Sequence, residues 1–127
     1  MNNVVADASA VIALLMGEPF ERADPSILSE ASLSAVNLAE IMTRLSDFGV
    51  PEETAKASIA ELNFRVVPFD AAQAHTAARL RASTRRAGLS LGDRACLALG
   101  RSLGFPAITA DRVWANLDLG IEIILIR

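Results

Sequence analysis

Tyrosine is missing from this chain of 127 residues, and cysteine, histidine, tryptophan and lysine each occur once. The lone Cys96 excludes an internal disulfide. It lies in the run Ala95-Cys96-Leu97-Ala98-Leu99, where it reads as a small buried hydrophobe. The lone His75 has no partner acid or cysteine, so it reads as a surface or packing residue rather than a catalytic one. Long apolar runs are absent too, which excludes a membrane-spanning helix. Met1-Asn2-Asn3-Val4-Val5 has neither a basic lead nor a cleavage-site pattern, so no signal peptide is expected and a cytoplasmic location is.

What is present is aliphatic. Apolar residues make up 52% of the sequence, enough for a compact core and against disorder. The length suits one domain, residues 1–127, with no linker, repeat or low-complexity tract. The net charge of −3 counts at first against a nucleic-acid partner. If four of the 15 acids are confined to one metal pocket, 11 remain against 12 cations, a balance of +1. All of those cations but Lys56 are arginine, the side chain suited to bidentate phosphate contact.

Short apolar runs alternate with longer helical ones. Strands are expected at 3–6, 31–34, 64–67, 107–109 and 121–126. Helices are expected at 8–16, 21–29, 37–48, 51–63, 71–86 and 91–103, with a short one at 111–116. Asp70 and Ser90 serve as N-caps, and Gly49, Gly88 and Gly104 as stops. This alternation implies an α/β fold with a parallel sheet covered on both faces.

In such sheets ligands bind beyond the carboxyl ends of the strands. Four acids fall there. Asp7 follows the first strand, and Asp111 lies just past the strand ending near Ile108. Glu40 and Asp93 lie in the first turns of helices. Each has a bland explanation: Asn37 to Glu40 fits a capping box, Ser90 to Asp93 a weaker one, and Asp7 and Asp111 complement helix dipoles. Their common location in apolar surroundings favours a shared pocket. Clustered carboxylates raise one another's pKa, and a divalent cation relieves that. An all-oxygen set without His or Cys suits Mg²⁺ or Mn²⁺ rather than Zn²⁺. Such ions activate water and stabilise charge on phosphate, so the implied chemistry is phosphodiester hydrolysis.

These same segments resemble the PIN-domain ribonucleases of the VapC toxin type. The similarity runs through Val4-Val5-Ala6-Asp7-Ala8-Ser9-Ala10 and Ser34-Ala35-Val36-Asn37-Leu38-Ala39-Glu40. It continues through 88–99 and through Thr109-Ala110-Asp111-Arg112-Val113-Trp114, and covers essentially the whole chain in order. The resemblance implies a three-layer α/β/α sandwich around a parallel sheet of four to five strands. It implies one or two Mg²⁺ or Mn²⁺ ions, with Asp7 and Asp93 as direct ligands. Glu40 would act through a water or orient the nucleophile, and Asp111 would complete the second side. Thr109 matches a recurrent hydroxyl before the last acid, and Ser9 is a second group able to bond a carboxylate. The resemblance also implies an RNA substrate, a VapB-type protein antitoxin and a homodimer. A groove between the 8–16 helix and the 20–28 segment would take an amphipathic antitoxin helix.

Arg94 and Arg112, each following a site acid, are expected at the substrate phosphate or beside a carboxylate. Arg79, Arg81, Arg85 and Arg86 read as a solvated helix face, with an RNA or dimer contact left open. Trp114 is expected to anchor the core, and Asp118 to sit in a solvated turn. Two alternatives are weaker. A receiver-like module needs a lysine after its fifth strand, and Lys56 lies within a helix. A haloacid-dehalogenase-type phosphatase needs a second Asp two residues after the first, where this chain has Ser9.

Overall fold

The structure, a computed structural model, describes residues 2–127. Strands Val5–Ala6 (β1), Ser32–Ser34 (β2), Arg65–Val67 (β3), Ala107–Thr109 (β4) and Ile123–Leu125 (β5) form one sheet in the order β3-β2-β1-β4-β5. All pairings are parallel. Val5 lies opposite Ser32 on one side and Ala107 on the other. The α-helices are Ala8–Leu15 (α1), Ala35–Asp47 (α2), Glu52–Ala60 (α3), Ala71–Thr84 (α4) and Leu91–Leu103 (α5). Among the described residues no helix is long and apolar enough to cross a membrane.

The strands' two-residue side-chain period builds two cores, one on each face of the sheet. Val4, Ala6, Leu33 and Ile108 pack with Val11, Ile41, Leu45 and Ile59 of α1, α2 and α3. Val5 and Ala107 face the other way, onto Leu80, Leu97, Leu99 and Trp114. The result is the three-layer sandwich expected from the sequence. Trp114 is fully buried, as an anchor should be.

Local chemistry sets the helix ends. Asp70 accepts from the Gln73 amide at 2.9 Å to start α4. Ser90 and Asp93 form a reciprocal capping box for α5, and Gly104 closes it at φ 69, a conformation costly for any other residue. Two expectations need correction. Residues 21–29 are not an α-helix; only Pro25–Leu28 forms a 3-10 turn, capped by Asp24. Proline disfavours the helical region at the residue before it, and Asp24 is accordingly extended at φ -78, ψ 133. Helix α2 begins at Ala35, with Ser34 as its cap, rather than at Asn37. The apparent capping box from Asn37 to Glu40 is therefore not one.

Strand β1 is the pivot of the topology. The chain leaves it outward to β2 and β3, then returns through α4 and α5 to β4 on the opposite flank. That reversal opens a crevice at the carboxyl ends of β1 and β4.

Candidate active site

A cleft of about 520 Å³ occupies that crevice, lined by Asp7, Ser9, Glu40, Thr43, Arg44 and Asp93 among others. Three of the four expected acids therefore share one cavity.

Asp7 ends β1 and stands at the N-cap position of α1, yet its side chain makes no capping bond. It is instead 3% exposed and turned to two hydroxyls. Ser9 Oγ donates to Asp7 Oδ2 at 2.6 Å and Thr109 Oγ1 donates to the same oxygen at 2.8 Å. Neither bond occupies Oδ1. The hydroxyls are themselves fixed, because the amides of Ala110 and Asp111 donate to Ser9 Oγ and Thr109 Oγ1. The Asp7 pKa is pushed up to about 6: burial raises it most, the two hydroxyl bonds lower it, and the charges of Asp93 and Glu40 raise it. An acid used only as a helix cap has no reason to be placed this way.

Glu40 lies half-buried on α2. Burial raises its pKa, a hydrogen bond from Asn37 lowers it, and Asp93 raises it. The fully buried Asn37 donates through Nδ2 to Glu40 Oε1 at 2.8 Å and to the Gly92 carbonyl at 3.0 Å, tying α2 to the start of α5. Gly92 makes room for this contact. A Cβ there would lie 2.2 Å from Glu40 Oε1, well inside contact distance. Sequence reasoning assigned Asn37 to a cap and passed over Gly92. The available signal was a glycine in a helix's first turn, where it weakens the helix by about 1 kcal/mol against alanine.

Asp93 serves two purposes. Its Oδ2 accepts from the Ser90 amide at 2.9 Å as half of the capping box, while the residue also lines the cleft. Asp111 is placed differently. It is exposed, caps the 3-10 turn Arg112–Asn116 by accepting from the Val113 amide at 3.0 Å, and does not line the cleft. Its backbone amide connects it to the centre by way of Thr109. Under the cluster lies Cys96, fully buried, whose thiol pKa is raised by burial and then by Asp7, Asp93 and Glu40. Its burial agrees with the sequence reading.

The PIN-domain family model matches residues 4–119. The chain belongs to the PIN-domain family. By sequence, no curated protein matches it. By structure, this PIN domain is similar to a DNA-bound VapBC complex from Salmonella typhimurium, at TM-score 0.72 and 18% identity over 97% of each chain. It is similar to FitAcB from Neisseria gonorrhoeae at TM-score 0.68 and 20% identity, over 95% of this chain and 96% of the other. It is also similar to VapC20 of Mycobacterium tuberculosis, a toxin that cleaves the sarcin–ricin loop. That match has TM-score 0.67 and 19% identity, over 94% of this chain and 98% of the other. Identities this low establish a shared fold.

The arginines of the PIN domain fall in unexpected places. Arg94 donates through Nη1 to the Ala77 carbonyl at 2.9 Å, bracing α4 against α5, and does not line the cleft. Arg112 is exposed on the 3-10 turn and does not line it either. The cation in the cleft is Arg44, one turn beyond Glu40 on α2. Position 44 gave no sequence signal, because its place depends on which face of α2 meets the crevice.

Among the described residues no group of three or more His, Cys, Asp or Glu is arranged so as to hold a metal ion. The donor set nonetheless suits a hard divalent ion. The cleft acids offer only oxygen, Asp7 Oδ1 takes neither hydroxyl bond, and a cation would offset the burial and, to a lesser degree, the neighbouring carboxylates that raise Asp7.

Proposed function

We propose that this PIN domain is the toxin of a type II toxin–antitoxin pair, a Mg²⁺- or Mn²⁺-dependent endoribonuclease that hydrolyses RNA phosphodiester bonds. PIN domains are typically nucleases, and several structural neighbours are toxins. The observation that carries the reading is the buried Asp7, which forgoes its helix cap to face Glu40 and Asp93 across one cleft.

Asp7, Glu40 and Asp93 would hold the ion, while the Asp111 carboxylate, expected on the second side, caps the 3-10 turn outside the cleft. When bound, the metal makes water a stronger nucleophile and neutralises charge developing on the phosphate. Ser9 and Thr109 fix the Asp7 carboxylate so that Oδ1 is presented in one orientation. Glu40, engaged by Asn37 at Oε1, keeps Oε2 to orient the attacking water and accept its proton. Its raised pKa improves it as a base.

The first test is incubation of the purified chain with total cellular RNA. Discrete cleavage with Mg²⁺ or Mn²⁺ and none with EDTA is expected; metal-independent cleavage, or none, would sink the proposal. The proposal extends to a protein antitoxin and a homodimer. Neighbours solved as toxin–antitoxin complexes support the first. Residues of α1 and of the following segment, Ile12, Leu15, Phe20 and Ile27, are only partly buried, leaving apolar surface for an amphipathic helix. Co-expression with the adjacent gene's product should relieve toxicity and yield a stable complex; a neighbour that neither binds nor neutralises would refute it.

A further inference from the structure

Helix α2 carries Val36, Glu40 and Arg44 at four-residue spacing, and its C-cap Phe48 follows Arg44 by four more. Val36, Glu40 and Arg44 line the cleft, and Phe48 stands at the end of the helix. The Arg44 guanidinium lies over the Phe48 ring at 5.4 Å from its centroid, and Phe48 is still 48% exposed. What sets Phe48 apart from the other exposed apolar side chains is that its ring is paired with the arginine that lines the cleft.

We infer that Arg44 and Phe48 form a nucleotide subsite, Arg44 taking a substrate phosphate and Phe48 stacking the adjoining base of a single-stranded RNA. This rests on the ribonuclease reading and assigns its substrate contacts. A polyanion entering a cleft with three carboxylates needs a cation at the wall, and Arg44 is the cation lining it. Its planar fork pairs bidentately with phosphate. Residues one helical turn apart lie about 5–6 Å from each other, comparable to the reach from a nucleotide's phosphate to its base. Stacking on an aromatic ring tolerates any base but requires it to be unpaired, so the subsite selects single-stranded segments.

The test measures cleavage kinetics on a fluorescent single-stranded oligoribonucleotide with Mn²⁺, for the wild-type chain, Arg44→Gln, Phe48→Leu and Phe48→Trp. Both side chains are exposed, so the variants should melt as the wild type does. Arg44→Gln should raise KM on the order of tenfold with a smaller effect on kcat, and lower the salt slope of log(kcat/KM) by about one. Phe48→Leu should raise KM on the order of tenfold, and Phe48→Trp should restore it. Wild-type cleavage with all three variants unchanged would overturn the subsite and leave the nuclease reading standing. Equal loss in Phe48→Leu and Phe48→Trp would overturn the stacking role. Unchanged RNA kinetics with lost antitoxin binding would make the pair a protein contact and overturn the inference. No RNA cleavage by the wild type would overturn the ribonuclease reading and this inference together.

Discussion

At Asp7, burial and two neighbouring carboxylates oppose two hydroxyl donors, and the first group wins. The folded pKa of about 6 lies above the ordinary 3.8, so the folded state holds its proton more tightly than the unfolded chain. Stability from this residue is therefore lost as pH rises from about 4 through about 6. The shift corresponds to about 3 kcal/mol at neutral pH in the metal-free protein. Asp7→Asn, which keeps an oxygen for Ser9 and Thr109, should raise Tm in EDTA at pH 7.5 and flatten the pH dependence between 4 and 6.5. A lower Tm at pH 7.5 would show that the charged carboxylate stabilises the fold. At Gly92 the prediction divides stability from activity. Gly92→Ala should change the melting temperature little, because alanine's helix preference of about 1 kcal/mol offsets the loss of the Asn37–Glu40 hydrogen bond. Its Cβ displaces the Glu40 carboxylate, so RNA cleavage should fall about a hundredfold. Full activity in Gly92→Ala would mean that Glu40 need not sit where it does.

Among the elements, α5 was fully legible, because Ser90 and Gly104 signal its two ends and its apolar run is unbroken. Helix α2 was misjudged at its start, because Asn37 and Glu40 imitate a capping box while Ser34 both ends β2 and caps α2. Asn37 instead holds Glu40 and bridges α2 to the Gly92 carbonyl of α5, a tertiary role that local patterning does not encode. The acids at Asp7, Glu40 and Asp93 were legible because strand ends and helix starts share one edge of a parallel sheet. Asp111 met that rule too, but its carboxylate serves the 3-10 turn. Loss of the Asn37 bridge should be felt by both helices. Asn37→Ala removes two hydrogen bonds, including the one that ties α2 to α5, which should cost about 1–2 kcal/mol in urea denaturation and lower cleavage as well. Unchanged stability and unchanged rate together would remove Asn37 from the account.

For the whole molecule, the sheet order β3-β2-β1-β4-β5 is what brings residues separated by 102 positions, Asp7 and Thr109, into one hydrogen bond. The strand and helix alternation made the layers readable, whereas the strand order follows from handedness and packing that no local segment reports. The same topology sets Asp7, Glu40 and Asp93 around one cleft, with Arg44 on its wall. Asp111→Asn keeps the cap of the 3-10 turn and should cost cleavage less than Asp7→Asn does, in a side-by-side rate comparison. The most direct measurement is the Mn²⁺-dependent cleavage rate of a single-stranded RNA by the wild-type chain and by Asp7→Asn, each shown to be folded. The account predicts a loss of about a thousandfold or more in Asp7→Asn. A folded Asp7→Asn that cleaves at the wild-type rate would contradict it.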